Sequence, residues 1–253
     1  MGPSSRDCMP DLAPDLMADL MADLTPDPTP DPTPKPAPRD RPGAEGLTAQ
    51  PPGPGVETQL QAAIRFAPAL LLRAQGTGLG MRAAIFDVDG VLTDGSLYIG
   101  EQGESFKAFN TLDGHGLKLL KWGGIEPLVI TGRDSPAVRK RVADLGLQHA
   151  VYGASDKLAA AQGLLQTLGL PWAQVAVIGD DWPDLPLLLR AGLACAPANA
   201  HVEVKAVAHH VSTLRGGHGA AREFCDLLLC ASGRYSALLQ AALQTEPQAP
   251  DGR

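Results

Sequence analysis

From residue 82 onward, short apolar runs alternate with longer segments whose apolar positions recur at helical spacing. Residues 82–88 (Arg-Ala-Ala-Ile-Phe-Asp-Val) form a nearly unbroken apolar run ending in acid. That is the pattern of a central parallel strand, buried on both faces, that presents a carboxylate at its C-terminal edge. Two short β-like pieces, residues 97–99 and 104–109, surround Gly-Glu-Gln-Gly and predict a hairpin. The alternation then predicts helices over 116–122, 136–145, 156–168, 185–191 and about 220–232. Strands are expected over 127–130, 150–152, 174–178 and 193–196 and near 209–212. Strands alternating with helices imply βαβ crossovers. The fold class is therefore α/β: a Rossmann-like parallel sheet with helices on both faces and a β-hairpin inserted after the first strand. Too few residues separate that strand from the next helix for a large cap domain.

The ends of four of these strands carry polar groups that suit one chemistry. Asp87 and Asp89 stand two residues apart in Asp-Val-Asp-Gly, where a turn at Gly90 can bring both carboxylates to one mouth; a solvated turn is the alternative. Thr131-Gly132-Arg133 follows an apolar strand and offers a hydroxyl, a backbone N–H and a planar donor fork suited to phosphate, or else an ordinary strand-to-helix turn with Thr as a local cap. Lys157 opens a helix, where its charge opposes the helix dipole unless an anion compensates; a solvent-exposed lysine is the plain reading. Gly179-Asp180-Asp181-Trp182-Pro183-Asp184 packs three carboxylates into five positions, which either a hard divalent cation or solvent must relieve.

Composition narrows the context. The chain has 253 residues, 44% of them hydrophobic, enough for a sizeable core. The net charge of -7 argues against nucleic-acid or anionic-membrane partners, while leaving room for a small anion in a local basic cluster. Four cysteines without Cys-x-x-Cys spacing fit a reducing compartment, and no secretory pattern opens the chain, so a cytoplasmic location is expected. Residues 1–55 are dominated by Pro, Asp, Thr and Ala and predict a disordered or polyproline-like tail: an inert extension, a misplaced start with Met81 or an upstream codon as the real beginning, or an interaction segment. Residues 56–73 have loose helical spacing that Pro68 weakens. The expected boundaries are a tail over 1–55, one domain over 56–235 and a C-terminal tail over 236–253.

Taken together, the acid pair, Thr-Gly-Arg, Lys and Gly-Asp-Asp-x-x-Asp resemble the four motifs of haloacid dehalogenase phosphatases over roughly residues 60–235. The resemblance implies Asp87 as nucleophile and Asp89 as acid/base. It implies Mg²⁺ held by Asp87, the Asp89 carbonyl and Asp180, with Asp184 and Asp181 in support, and phosphate bound by Thr131, Gly132 and Lys157. A narrower likeness rests on Val91-Leu92-Thr93-Asp94-Gly95 with its hairpin, on residues 109–118, and on Gly216-Gly217-His218-Gly219-Ala220-Ala221-Arg222-Glu223. These resemble the 3-deoxy-D-manno-octulosonate 8-phosphate phosphatases, which lack a separate cap. In that family hairpins associate around a homotetramer axis and a neighbouring subunit helps close the site. Arg133, Asp113, Arg215, His218 and Arg222 are then the candidate contacts for a phosphorylated sugar acid. Leu112 stands where that family commonly has Arg, which leaves open another sugar or nonulosonate phosphate, or a non-catalytic oligomeric regulatory module.

Overall fold

Four consecutive buried residues, Ala83-Ala84-Ile85-Phe86, form the strand around which the sheet is built. The structure is a computed structural model and describes residues 66–76 and 80–244. Helix α1 (Pro68–Gln75) leads into that strand, β1 (Ala83–Phe86). An antiparallel hairpin of β2 (Tyr98–Gly100) and β3 (Gly103–Phe106) precedes α2 (Thr111–Trp122). There follow β4 (Glu126–Ile130), α3 (Pro136–Asp144), β5 (His149–Val151), α4 (Lys157–Leu168), β6 (Val175–Ile178) and α5 (Leu185–Leu188). The order ends with β7 (Leu193–Ala196), α6 (Val202–Val207), β8 (His210–Val211), α7 (Ala220–Ala231) and α8 (Tyr235–Gln244).

Six strands pair in parallel in the order β5-β4-β1-β6-β7-β8. The pleat sorts side chains by parity. Ala84, Phe86, Val129 and Ile178 join one core with α2 and α7, while Ile85, Leu128, Ile130 and Val177 join a second with α4 and α5. Phe86 meets Phe224 of α7 edge to face at 5.3 Å. Fully burying a side chain of this size contributes about 1.5–3 kcal/mol, and such burial on both faces holds the strand ends still. After β1 the chain builds one side of the sheet and after α4 the other. Strand order thus reverses beside β1, whose C-terminal edge is where such sheets form their sites.

The expected α/β architecture, hairpin and strand sequence are all present. Several boundaries differ for physical reasons. Helix α2 begins at Thr111 rather than residue 116, because Asn110 accepts the Leu112 N–H as a cap and the two glycines inside the helix serve packing. A Cβ on Gly114 would lie 2.1 Å from Arg141 Nη2, and one on Gly116 would lie 3.1 Å from Cys225 Sγ. Pro68 stands in the first turn of α1, where its missing N–H costs nothing, so it starts a helix there. The C-terminal stretch from 236 opens within α8, whose Tyr235 and Leu238 pack against the first core. Residues 1–55, 56–65 and 245–253 lie outside the described residues.

Candidate active site

Asp87 directly follows β1, and its backbone N–H donates to Ile178 O at the end of β6 (3.2 Å), so the sheet itself fixes where the carboxylate starts. Lys157 begins α4 behind an Asp156 cap and reaches back across the sheet edge. Its ammonium donates to Asp87 Oδ1 at 2.6 Å and Asp184 Oδ1 at 2.7 Å, with all three side chains nearly removed from solvent. Asp184, in the 3₁₀ turn Trp182–Asp184, uses its other oxygen to accept the backbone N–H groups of Asp180 (3.1 Å) and Asp181 (3.4 Å). This curls the acidic loop so that Asp180 points inward and Asp181 stays at the surface. Gly90, with φ of 94°, turns the chain after the acid pair and leaves room for the Asp180 carboxylate.

Carboxylate oxygens of Asp87, Asp180 and Asp184 all lie within 4.8 Å of one another. One ammonium among three carboxylates leaves excess negative charge. Burial, with Asp184 next, pushes Asp87 well above the usual carboxylate range, against the pull of Lys157. Burial and Asp184 likewise raise Asp180 to about 7. Lys157 is held above its ordinary value: burial opposes this and is outweighed by Asp87 and Asp184. A cluster of hard oxygen ligands whose ionisation is held back by burial and then by neighbouring carboxylates fits a small divalent cation.

Thr131 is buried at the end of β4, where its hydroxyl accepts the Arg133 N–H at 3.3 Å, and Gly132 is exposed beside it. The Arg133 guanidinium is half exposed and lies 3.8 Å from Glu104. The glycine-rich segment is docked on the acid-pair turn. A Cβ on Gly216 would lie 1.8 Å from Gly90 O, and Asn199 clamps both, donating to Gly90 O (2.9 Å) and accepting from Gly216 N (2.6 Å). Arg215 and His218 are exposed along this segment. Two expected substrate contacts are placed elsewhere. Asp113 is 1% exposed, and its carboxylate accepts the Gly219 and Arg222 N–H groups at the start of α7. Arg222 donates its Nε to Asp226 one helical turn on. The Asp113 carboxylate thus ties α2 to α7, while the Arg222 side chain is paired within α7.

The sequence reading missed Lys107. Its side chain is fully buried, with Nζ 2.5 Å from Asp89 Oδ1 and 3.1 Å from Glu104 Oε2. Glu104 in turn accepts from the Ser135 hydroxyl. Lysine and glutamate in a hairpin read as solvated surface, and no local pattern separates these two from that.

Comparison with known proteins bears on what this arrangement does. Residues 151–224 match the family model for haloacid dehalogenase-like hydrolases. A 3-deoxy-D-manno-octulosonate 8-phosphate phosphatase of Yersinia pestis is 46% identical over 154 residues, covering 61% of this chain and 82% of that protein. The chain belongs to the 3-deoxy-D-manno-octulosonate 8-phosphate phosphatase family. A probable YrbI-family phosphatase from Pseudomonas syringae superposes with a TM-score of 0.68 at 44% identity, covering 71% of this chain and all of that one. The family enzyme from Moraxella catarrhalis, crystallised with magnesium, phosphate and the octulosonate, superposes with a TM-score of 0.66 at 37% identity, again over 71% of this chain and all of that one.

Proposed function

We propose that this phosphatase hydrolyses 3-deoxy-D-manno-octulosonate 8-phosphate to the free sugar acid and inorganic phosphate, a step of lipopolysaccharide biosynthesis. The observation that carries the reading is the gathering of Asp87, Asp180 and Asp184 within 4.8 Å of one another around Lys157, in a chain 46% identical to a protein of that name. Asp87 attacks phosphorus and forms an aspartyl-phosphate as the bond from phosphorus to the sugar oxygen breaks, and Asp89 gives its proton to that oxygen. Water then attacks the aspartyl-phosphate and passes a proton to Asp89. The phosphorus–oxygen bond to Asp87 breaks, phosphate leaves, and both side chains return to their starting states.

Mg²⁺ would be held by the Asp87 and Asp180 carboxylates and the Asp89 carbonyl, with Asp184 and Asp181 in support, and supplies the positive charge that lets one anion approach another. Thr131, Gly132 and Lys157 receive the phosphoryl oxygens. Arg133, Arg215 and His218 line the approach of the sugar acid. We assign residues 56–244 to the phosphatase domain, its last helix packed on the core through Tyr235 and Leu238, preceded by a tail over 1–55. Among the described residues no helix is long and apolar enough to cross a membrane, in keeping with our assignment of the protein to the cytoplasm. Leu97, Ile99 and Phe106 are exposed on the hairpin, which supports assembly into a homotetramer.

Leu112 is 57% exposed at the start of α2 and offers no charge where the family resemblance leads to an expected Arg, which favours a second reading as a phosphatase for another sugar or nonulosonate phosphate. Phosphate release from a panel of eight- and nine-carbon sugar acid phosphates, with and without Mg²⁺, tests both. Turnover fastest on the octulosonate phosphate, and abolished by Asp87→Asn, is expected. Preference for a nine-carbon acid would move the assignment to the second reading. Absence of turnover on every member would instead point to a regulatory module.

A further inference from the structure

Four carboxylates crowd the mouth of the site, yet only three of them, Asp87, Asp180 and Asp184, bring oxygens together as a cation site. Asp89 does not join them. Its Oδ1 is bonded by the Lys107 ammonium, which comes from just after the hairpin, 18 residues along the chain. The Lys107 side chain is 0% exposed. Burying an ammonium costs several kcal/mol unless paired, and here two carboxylates, Asp89 and Glu104, pair it. Glu104 is itself fixed. It accepts from Ser135 in the loop after β4 and lies 3.8 Å from Arg133 Nε. Thus one partly buried chain of contacts runs from the β4 loop through Glu104 and Lys107 to the Asp89 carboxylate.

We propose that Lys107 is a positioning residue for the acid/base step: by engaging Oδ1 it keeps the Asp89 side chain out of the cation cluster and leaves Oδ2 as the oxygen that carries the proton. Resting on the phosphomonoesterase reading above, it adds Lys107 to a reaction in which Asp89 alone handles protons. Lys107 touches neither phosphorus nor leaving oxygen and acts through the geometry of Asp89. Its companion Glu104 holds the ammonium from the other side and thereby couples the hairpin to the reacting centre.

The consequence is selective. An alkyl leaving oxygen must be protonated as it departs, whereas 4-nitrophenolate leaves without a proton. Excess enzyme is mixed with a sugar acid phosphate or with 4-nitrophenyl phosphate, and the first release of alcohol or phenolate is timed for wild type, Lys107→Met and Lys107→Arg in the full chain. Lys107→Met is expected to slow alkyl release by about 10- to 100-fold and phenolate release by less than about 3-fold, with Lys107→Arg intermediate. Equal slowing on both substrates, no slowing on either, or a loss confined to KM would overturn the assignment. If the Lys107 variants fail to fold, Glu104→Gln is measured in their place, with a smaller loss of the same selectivity expected and equal losses refuting. A wild-type chain that releases no alcohol from any phosphate ester fails the parent reading instead, and the two failures cannot be mistaken for each other.

Discussion

Gly90 and Asp180 are packed so closely that a Cβ on residue 90 would lie 2.0 Å from Asp180 Oδ2. The two come from turns after different strands, β1 and β6, which the sheet sets side by side. Gly90 also has φ of 94°, a region L side chains rarely enter. A methyl group there forces the Asp180 carboxylate to swing away, because both turns are held, Gly90 by Thr93 and Asn199 and Asp180 by Asp184. Gly90→Ala should therefore destabilise the fold by only about 1–2 kcal/mol while lowering kcat/KM at fixed Mg²⁺ by about 100-fold or more, since the cation loses a ligand. Thermal melts and a Mg²⁺ titration of activity separate the two effects; an unchanged Mg²⁺ requirement would contradict the assigned role of Asp180.

Asp180 also makes the site sensitive to pH. Burial and Asp184 raise its carboxyl from 3.8 to about 7 in the fold. Between those values the folded chain keeps a proton that the unfolded chain has released, so without the cation stability falls as pH rises through that window and is level above it. Asp87, also raised, acts in the same direction. A cation binds the ionised carboxylates and must displace these protons. Mg²⁺ should thus bind more tightly at about pH 8 than at about pH 5.5, with proton release at the lower pH, and should raise the melting temperature more at about pH 8. Calorimetry in two buffers of different ionisation enthalpy measures the protons released. A larger Mg²⁺ stabilisation at the lower pH would contradict the raised carboxyls.

Much of this site was legible because each motif follows an apolar strand, and a parallel sheet brings its strand ends to one edge. Asp87, Thr131, Lys157 and Asp184 needed no tertiary knowledge beyond that rule. Asp113 and Arg222 read as substrate contacts because they stand beside glycines. In the fold Gly114 and Gly116 let α2 and α7 approach, the Asp113 carboxylate accepts N–H groups of α7, and Arg222 pairs with Asp226. Lys107 was invisible for the opposite reason. Its environment is assembled from the hairpin, the Asp89 turn and the β4 loop, and burial of that kind has no period along the chain. Helices α6 and α8 were also unread, α6 being too short to show a helical period and α8 having been taken as tail.

The Asp113 placement leads to its own test. Its two oxygens accept Gly219 N (3.3 Å) and Arg222 N (2.8 Å), and its charge sits at the positive end of α7. Asp113→Ala removes an N-terminal cap and should cost about 1–2 kcal/mol in denaturant unfolding. Substrate KM should stay within about 2-fold of wild type, since the carboxylate makes no contact at the mouth. A large rise in KM with unchanged stability would return Asp113 to the substrate.

The hairpin presents the last case. Tyr98 and Phe106 stack at 4.4 Å, and Ile99 is 62% and Phe106 55% exposed. A two-stranded hairpin is marginal by itself in water, and one that shows apolar side chains to solvent gains by covering them. Lys107 ties its base to Asp89, so whatever covers its tip also steadies the acid/base residue. In our assignment the cover is the same hairpin of neighbouring chains. Charge placed in that contact by Ile99→Lys with Phe106→Lys should repel like charge across the symmetry axis and reduce a tetramer to smaller species by light scattering, while circular dichroism stays native because neither residue lies in the core. Activity should fall with the mass, since in our assignment the neighbouring chain helps close the site. A double variant that keeps both the mass and the activity of wild type would show that the hairpin faces solvent in the assembled enzyme.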